Sequence, residues 1–217
     1  MAVYGSITKG HFFLLVLVCF LKGYLGCVAV AWVMKSGQVV RVFSPKGGRE
    51  VVLRTPRWED LDDLLELINS LVEERAEIIV DTKMTREQEV DWLASVLARV
   101  EKDEVLHLVG ELGGRVVASC DLHRGKGSEA HVGVVGIVVK KGFRGLGIGT
   151  EVMRALIEYG EKVGLRLLVL SVFATNVGAV HVYEKVGFFA TGRVPGRHFR
   201  DGVFIDELTM AKVLGRN

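Results

Sequence analysis

The amino-acid sequence predicts a mixed α/β domain in which an antiparallel meander is joined to a βαβ unit. Three features predict it. Two amphipathic helical patterns, at 61–71 and 85–100, follow one short apolar run. Two β-rich runs at 105–112 and 116–122 are separated by Gly113-Gly114, a two-residue hairpin signal. A segment with glycine at every second position, Arg144-Gly145-Leu146-Gly147-Ile148-Gly149-Thr150, lies between an apolar run at 131–139 and an amphipathic stretch at 150–163, which is the layout of strand, tight turn and helix start.

Each element has its own local reason. Residues 51–55 are an apolar run suited to a first strand, and Thr55-Pro56 offers a helix cap with proline at the first helical position, ahead of Glu59 and Asp60 in the positive turn of the dipole. Leu61, Leu64, Leu65, Ile68 and Leu71 recur at helical spacing as a core face. Thr85 with Gln88 three residues later is a capping box before the stripe Val90, Leu93, Val96, Leu97 and Val100. After the hairpin, a polar loop at 124–128 leads to the run at 131–139, the glycine turn, and a helix with an apolar face of Val152, Met153, Leu156, Ile157 and Tyr159. Residues 165–173 are continuously apolar, as in a strand buried on both faces. A helix over 176–186 and strands over 188–193 and 203–214 complete the order β-α-α-β-β-β-α-β-α-β-β.

The chain has 217 residues, about half of them hydrophobic, enough for one full core. The mixed, Gly-rich residues 35–49 put a domain boundary near Gly48, leaving 1–48 as an N-terminal extension and linker and 49–217 as the domain. Residues 12–34 are almost wholly apolar and are read in three ways: a membrane anchor with the domain on the cytoplasmic side, a signal peptide, or leader sequence before a start at Met34. The domain is expected in the cytoplasm, at the membrane's cytoplasmic face if the anchor is genuine. A formal charge of +2 without a basic block gives no footprint for nucleic acid. Cys19, Cys27 and Cys120 have neither disulfide nor zinc spacing, and no metal is expected.

Glycines at alternate positions before a helix let backbone N–H groups and the helix dipole face an anion, most often a phosphate. Two phosphate loops are excluded. The triphosphate loop needs a lysine before Thr150, and the dinucleotide loop needs G-x-G-x-x-G with an acidic residue closing the next strand, where this chain has G-x-G-x-G and Ser171-Val172-Phe173.

Two patterns then stand together: Arg144-Gly145-Leu146-Gly147-Ile148-Gly149 as Arg/Gln-x-x-Gly-x-Gly/Ala, and Asn176 to Phe188 as N-x-x-A-x-x-x-Y-x-x-x-G-F. With the element order they resemble the GCN5-related N-acetyltransferase (GNAT) superfamily over about residues 51–214. The resemblance implies a mostly antiparallel sheet with two central parallel strands splayed apart, the first of them bulged with Gly133 and Gly136 as relief points. It implies acetyl-CoA as acyl donor: the amides from Arg144 to Thr150 (Arg144, Gly145, Leu146, Gly147, Ile148, Gly149, Thr150) on the pyrophosphate, the backbone of Ile137, Val138 and Val139 along the pantetheine arm, and Asn176 at the cofactor or as a helix cap. Tyr183 matches the family's proton donor to the coenzyme A sulfur.

The base is less defined. Enzymes acetylating the N-terminus of ribosomal proteins carry Leu-Glu-Val-Arg-x-x-Asn where this chain has Leu170-Ser171-Val172-Phe173-Ala174-Thr175-Asn176, so that glutamate is missing. The chain looks more like the subgroup acting on small amines or amino acids. His131 is the first candidate base, with an ordinary pKa near neutrality, and Asp206 and Glu207 are candidates for the substrate ammonium. Arg197 and Arg200, in an expected loop between the last strands, are candidates for a substrate carboxylate. The expected function is N-acetyl transfer to a small primary amine or amino acid in a ternary complex. The alternatives are a protein N-terminal or lysine acetyltransferase and a non-catalytic acyl-CoA-binding module. A homodimer is expected from family habit.

Overall fold

The computed structural model describes residues 34–215. In chain order the elements are β1 (Val39–Phe43), β2 (Val51–Arg54), α1 (Leu61–Glu73), α2 (Arg86–Glu101), β3 (Val105–Leu112), β4 (Arg115–Arg124), β5 (Val132–Val139), α3 (Ile148–Lys162), β6 (Leu167–Phe173), α4 (Val177–Lys185), β7 (Phe189–Arg200) and β8 (Val203–Val213). The strands form one sheet in the order β1-β2-β3-β4-β5-β6-β8-β7. Every neighbouring pair is antiparallel except β5 and β6.

Strand alternation sends successive side chains to opposite faces, and each face has its own core. Leu61, Leu64, Leu67 and Leu71 of α1 and Leu93 of α2 pack on Val109 and Val116. On the other face Ile148, Val152, Met153 and Leu156 of α3 pack with Leu108, Leu122, Leu168 and Leu170. The hairpin at Gly113-Gly114 forms as the sequence predicts, both glycines having positive φ. The Thr85–Gln88 capping box is also present at the start of α2.

The parallel pair creates the opening in the sheet. β5 and β6 pair only from Val132↔Leu167 to Val134↔Val169. Beyond that point β5 continues to Val139 beside β4, and β6 continues to Phe173 beside β8, without pairing to each other. The gap does not arise from a bulge in β5, whose register with β4 is unbroken from Arg124↔Gly133 to Ala118↔Val139. Gly133 and Gly136 answer close packing instead. A Cβ on Gly133 would lie 2.8 Å from Leu165 and Leu168, and one on Gly136 would lie 2.9 Å from Asp121 Oδ1.

Three further expectations change. The stretch assigned to linker contains β1, which extends the sheet before the boundary expected at Gly48 and docks Arg41 on Glu151 and Glu158 of α3. Thr55-Pro56 does not start α1, because the Thr55 hydroxyl accepts from Gln38 N at 2.8 Å and bonds the Lys35 carbonyl. The helix begins at Leu61, after Asp60 has taken Arg54 in a two-pronged ion pair at 2.7 Å and the Arg57 amide at 2.9 Å. Finally, β7 runs to Arg200, so the segment 197–200 is strand rather than loop. Among the described residues no helix is long and apolar enough to cross a membrane. The apolar stretch 12–34, with its three readings, lies outside the described residues apart from Met34.

Candidate active site

The glycine turn and the unpaired edge of β5 form one wall of a cleft of about 850 Å³. Gly145 and Gly147 have φ of +76° and +92°, the left-handed region that glycine enters without strain. Gly147 is the N-cap of α3 and offers no side-chain cap, so the first N–H groups of the helix find no acceptor among the described residues and border the cleft. The turn is pinned from both sides: Lys46 N donates to Leu146 O at 2.9 Å, and Arg144 Nε donates to Val139 O at 2.8 Å while its guanidinium pairs with Glu74. Lys46, Arg75, Lys141, Arg144 and Lys185 line this cleft and make it cationic. A cradle of backbone donors, a ring of cations and an open strand edge fit the phosphates and pantetheine amides of coenzyme A.

Of the residues expected at the cofactor, Ile137, Val138, Val139, Arg144, Gly145, Gly147, Gly149, Thr150 and Asn176 line the cleft. Leu146 and Ile148 do not line it, because their side chains pack into the core. Val139 also has its carbonyl taken by Arg144. Asn176 caps α4, its Oδ1 accepting from Ala179 N at 3.1 Å, and still borders the cleft.

A second cleft of about 470 Å³ opens on the α1 and α2 face of the sheet and meets the first at the gap. Ile137, Val138, Asn176 and Tyr183 line both. Tyr183 is 7 % exposed, its pKa is pushed up to about 12 by burial, and its hydroxyl has no partner among the described residues. No fully buried side-chain polar atom among the described residues is unpaired, so this hydroxyl opens on the clefts. Glu89 of α2 is the acidic counterpart. It is 4 % exposed, has no hydrogen-bond or ion-pair partner among the described residues, and has its pKa pushed up to about 7 by burial. By the same reasoning its carboxyl opens on the second cleft. Around it stand Trp92, which meets His107 edge to face at 5.3 Å, and Ser119, whose hydroxyl lies 2.9 Å from His107 Nε2. Burial pushes the His107 pKa down to about 4, so the ring is neutral near pH 7.

The α1–α2 connection closes over this cleft and is held at both ends. The Asn69 side chain bonds both the N–H and the carbonyl of Met84, and Arg200 donates to the Ala76 and Ile78 carbonyls at 2.6 Å while lying over the Phe173 ring. His198 stacks on Phe173 at 4.1 Å and bonds Glu207 at 3.0 Å, and all three line the cleft.

Three expected residues fall elsewhere. His131 is an exposed residue just before β5, and its carbonyl receives the Arg166 and Leu167 amides. Ile137 lies six residues along the strand, about 20 Å away, so His131 is not at the gap. Asp206 points away from the cleft and holds the irregular part of β7, accepting from Arg193 at 2.6 Å and from Gly196 N at 2.8 Å. Arg197 is exposed beside it and does not line either cleft. Their neighbours Glu207 and His198 take the cleft positions instead. Glu89 was legible only as an acid on the stripe Glu89, Leu93, Val96, Val100, where the helix buries every other member.

The family model described as the acetyltransferase (GNAT) family matches residues 64–188, more than half of the chain. A Bacillus subtilis protein provisionally named a phosphinothricin acetyltransferase is 25% identical over 169 residues, covering 76% of this chain and 98% of its own. The L-amino acid N-acetyltransferase AaaT of Escherichia coli is 29% identical over 116 residues, covering 52% of this chain and 71% of its own. The solved structure of a ribosomal-protein-alanine N-acetyltransferase from Brucella melitensis, 27% identical, superposes with a TM-score of 0.67 over 75% of this chain and 99% of its own. The splayed parallel pair, the uncapped glycine turn and a family match that spans both patterns have one account: the chain belongs to the acetyltransferase (GNAT) family and is an acetyl-CoA-dependent N-acetyltransferase.

Proposed function

We propose that the chain acetylates the primary amine of a small molecule or amino acid by direct attack in a ternary complex. The observation that carries this reading is the meeting of the two clefts at Tyr183, with the uncapped glycine turn on one side and the unpartnered Glu89 on the other. Acetyl-CoA supplies the acyl group as a thioester, whose C–S bond breaks as the C–N bond to the acceptor forms. The N–H groups of residues 145–150 and the surrounding cations hold the phosphates, and the free edge of β5 aligns the pantetheine arm as an added strand would.

A free alkyl amine has a pKa near 10, so only about one part in a thousand is neutral at pH 7. Glu89 takes the place proposed on sequence grounds for His131: with a pKa of about 7 it accepts the ammonium proton, directly or through water. Tyr183, kept protonated by burial, hands its proton to the departing sulfur. The proton that the nitrogen loses on becoming an amide restores the phenol, and one proton leaves to solvent overall.

A protein N-terminal acetyltransferase is the second reading, favoured by the likeness to the Brucella melitensis enzyme. Against it, the position of the missing glutamate, Ser171, lines the acceptor cleft. Calorimetric titration with acetyl-CoA, with thiol release measured over small amines, amino acids and N-terminal peptides, tests the set. Release on small acceptors supports the proposal, and release on peptides alone replaces it with the second reading. Cofactor binding without release on any acceptor makes the chain a binding module.

A further inference from the structure

The two clefts have opposite charge. The cofactor cleft is lined by five lysine or arginine side chains against Glu74 and Glu77, whereas among the described residues the acceptor cleft has no lysine or arginine. Its charged lining is Glu77, Glu89, Asp121 and Glu207, joined by two histidines, and Asp121 also pairs through Oδ2 with His123 Nε2 at 2.7 Å, outside the cleft. Neither histidine is placed to receive a substrate carboxylate: His107 is buried against Trp92 and Ser119, and His198 bonds Glu207. The two arginines of the 197–200 segment do not serve either, because Arg197 lies outside the cleft and Arg200 is bonded to the Ala76 and Ile78 carbonyls. Glu89 is a second, independent sign of a cationic ligand, an almost wholly buried carboxyl with no partner that opens on the cleft. Leaving such a group unmatched is costly unless a ligand completes it.

Resting on the acetyl-transfer reading above, we propose that the acceptor is an aliphatic di- or polyamine that carries no carboxylate. The reacting nitrogen sits at the gap between β5 and β6, beside Tyr183 and Glu89. A second ammonium is held by Asp121 or Glu207, which flank the gap on β4 and β8, one to two strand spacings or about 5–10 Å from it. Gly136 keeps the Asp121 carboxylate reachable, since a Cβ there would crowd Oδ1 at 2.9 Å. Between the acids, Leu67, Trp92, Val138 and Phe173 offer apolar wall to the methylenes. A substrate carboxylate placed among these acids would meet repulsion and no cation.

The test is thiol release by the full chain with acetyl-CoA and 1,4-diaminobutane, 1,5-diaminopentane, n-butylamine, L-lysine or neutral L-amino acids. The expected result is kcat/KM for the diamines at least tenfold above n-butylamine and above every amino acid. Glu207→Gln and Asp121→Asn are expected to narrow the diamine to monoamine ratio in at least one case. Amino acids or n-butylamine used as well as the diamines would overturn this substrate class and leave acetyl transfer standing. So would a ratio unchanged in both folded variants. Cofactor binding with no release on any amine would overturn the acetyl-transfer reading and this proposal together. The wild-type panel decides the matter even if a variant fails to fold.

Discussion

Glu89→Gln separates what the buried carboxyl does for chemistry from what it costs the fold. Burial raises its pKa from 4.5 to about 7, so the folded protein holds a proton that the unfolded chain releases within that window. Stability is therefore fully present below about pH 4.5 and falls as pH rises through 7. A shift of that size corresponds to about 3 kcal/mol. The carboxyl opens on a solvent-filled cleft, and screening there reduces the expected penalty to about 1–2 kcal/mol. Glutamine keeps the shape without the charge, so at pH 8 the variant is expected to melt about 3–6 °C higher than the wild type. At pH 4.5 the two should melt alike. Activity moves the other way: loss of a general base is expected to lower kcat about 100-fold or more and to remove the inflection near pH 7 from the pH-rate profile. Melting curves at the two pH values and a kcat profile from pH 5.5 to 9 test both halves. A variant with unchanged kcat and the same inflection would remove Glu89 as the base, and equal melting at pH 8 would refute the burial penalty.

Other substitutions probe the remaining parts of the site. Tyr183→Phe is expected to lower kcat about tenfold or more with little change in acetyl-CoA affinity, as for lost acid catalysis, and an unchanged kcat would return the ring to packing against Phe188. Gly149→Val would place a side chain in the cofactor cleft near Ile137 and Val182, raising the calorimetric Kd for acetyl-CoA about tenfold with an unchanged circular dichroism spectrum. His131→Ala is expected to leave the pH-rate profile as it is, because the residue lies at the far end of β5, and a displaced profile would contradict that placement. His107 has a folded pKa of about 4 against an ordinary 6.5, so its contribution to stability is lost as pH falls through that window, the opposite slope to Glu89. Denaturant titrations of His107→Gln from pH 7 to 4 should show a flatter acid limb than wild type.

The cofactor half of the site was legible in the sequence because its signals are local. Glycines at alternate positions, an asparagine cap and a tyrosine at fixed spacing each dictate a backbone shape within a few residues, and the structure places Gly145, Gly147, Gly149, Asn176 and Tyr183 on one cleft. The same holds for the Thr85–Gln88 capping box and the Gly113-Gly114 hairpin. The acceptor half is assembled from α2, β3, β4 and β8, and its composition depends on strand order and pleat parity. A one-residue shift sends a side chain to the opposite face of a sheet. The irregular pairing of β7 between Val194 and His198 decides that parity, putting His198 rather than Arg197 into the cleft, while alternation along β8 selects Glu207 over Asp206. His131 failed for a related reason: a residue type suited to base chemistry was visible, but not its distance along β5 from the gap. The sequence by itself determined the fold family and the glycine cradle and singled out Tyr183, since these rest on short-range backbone constraints. Only the tertiary structure decided which acids surround the acceptor, because that follows from which ends and faces of distant strands converge where β5 and β6 part.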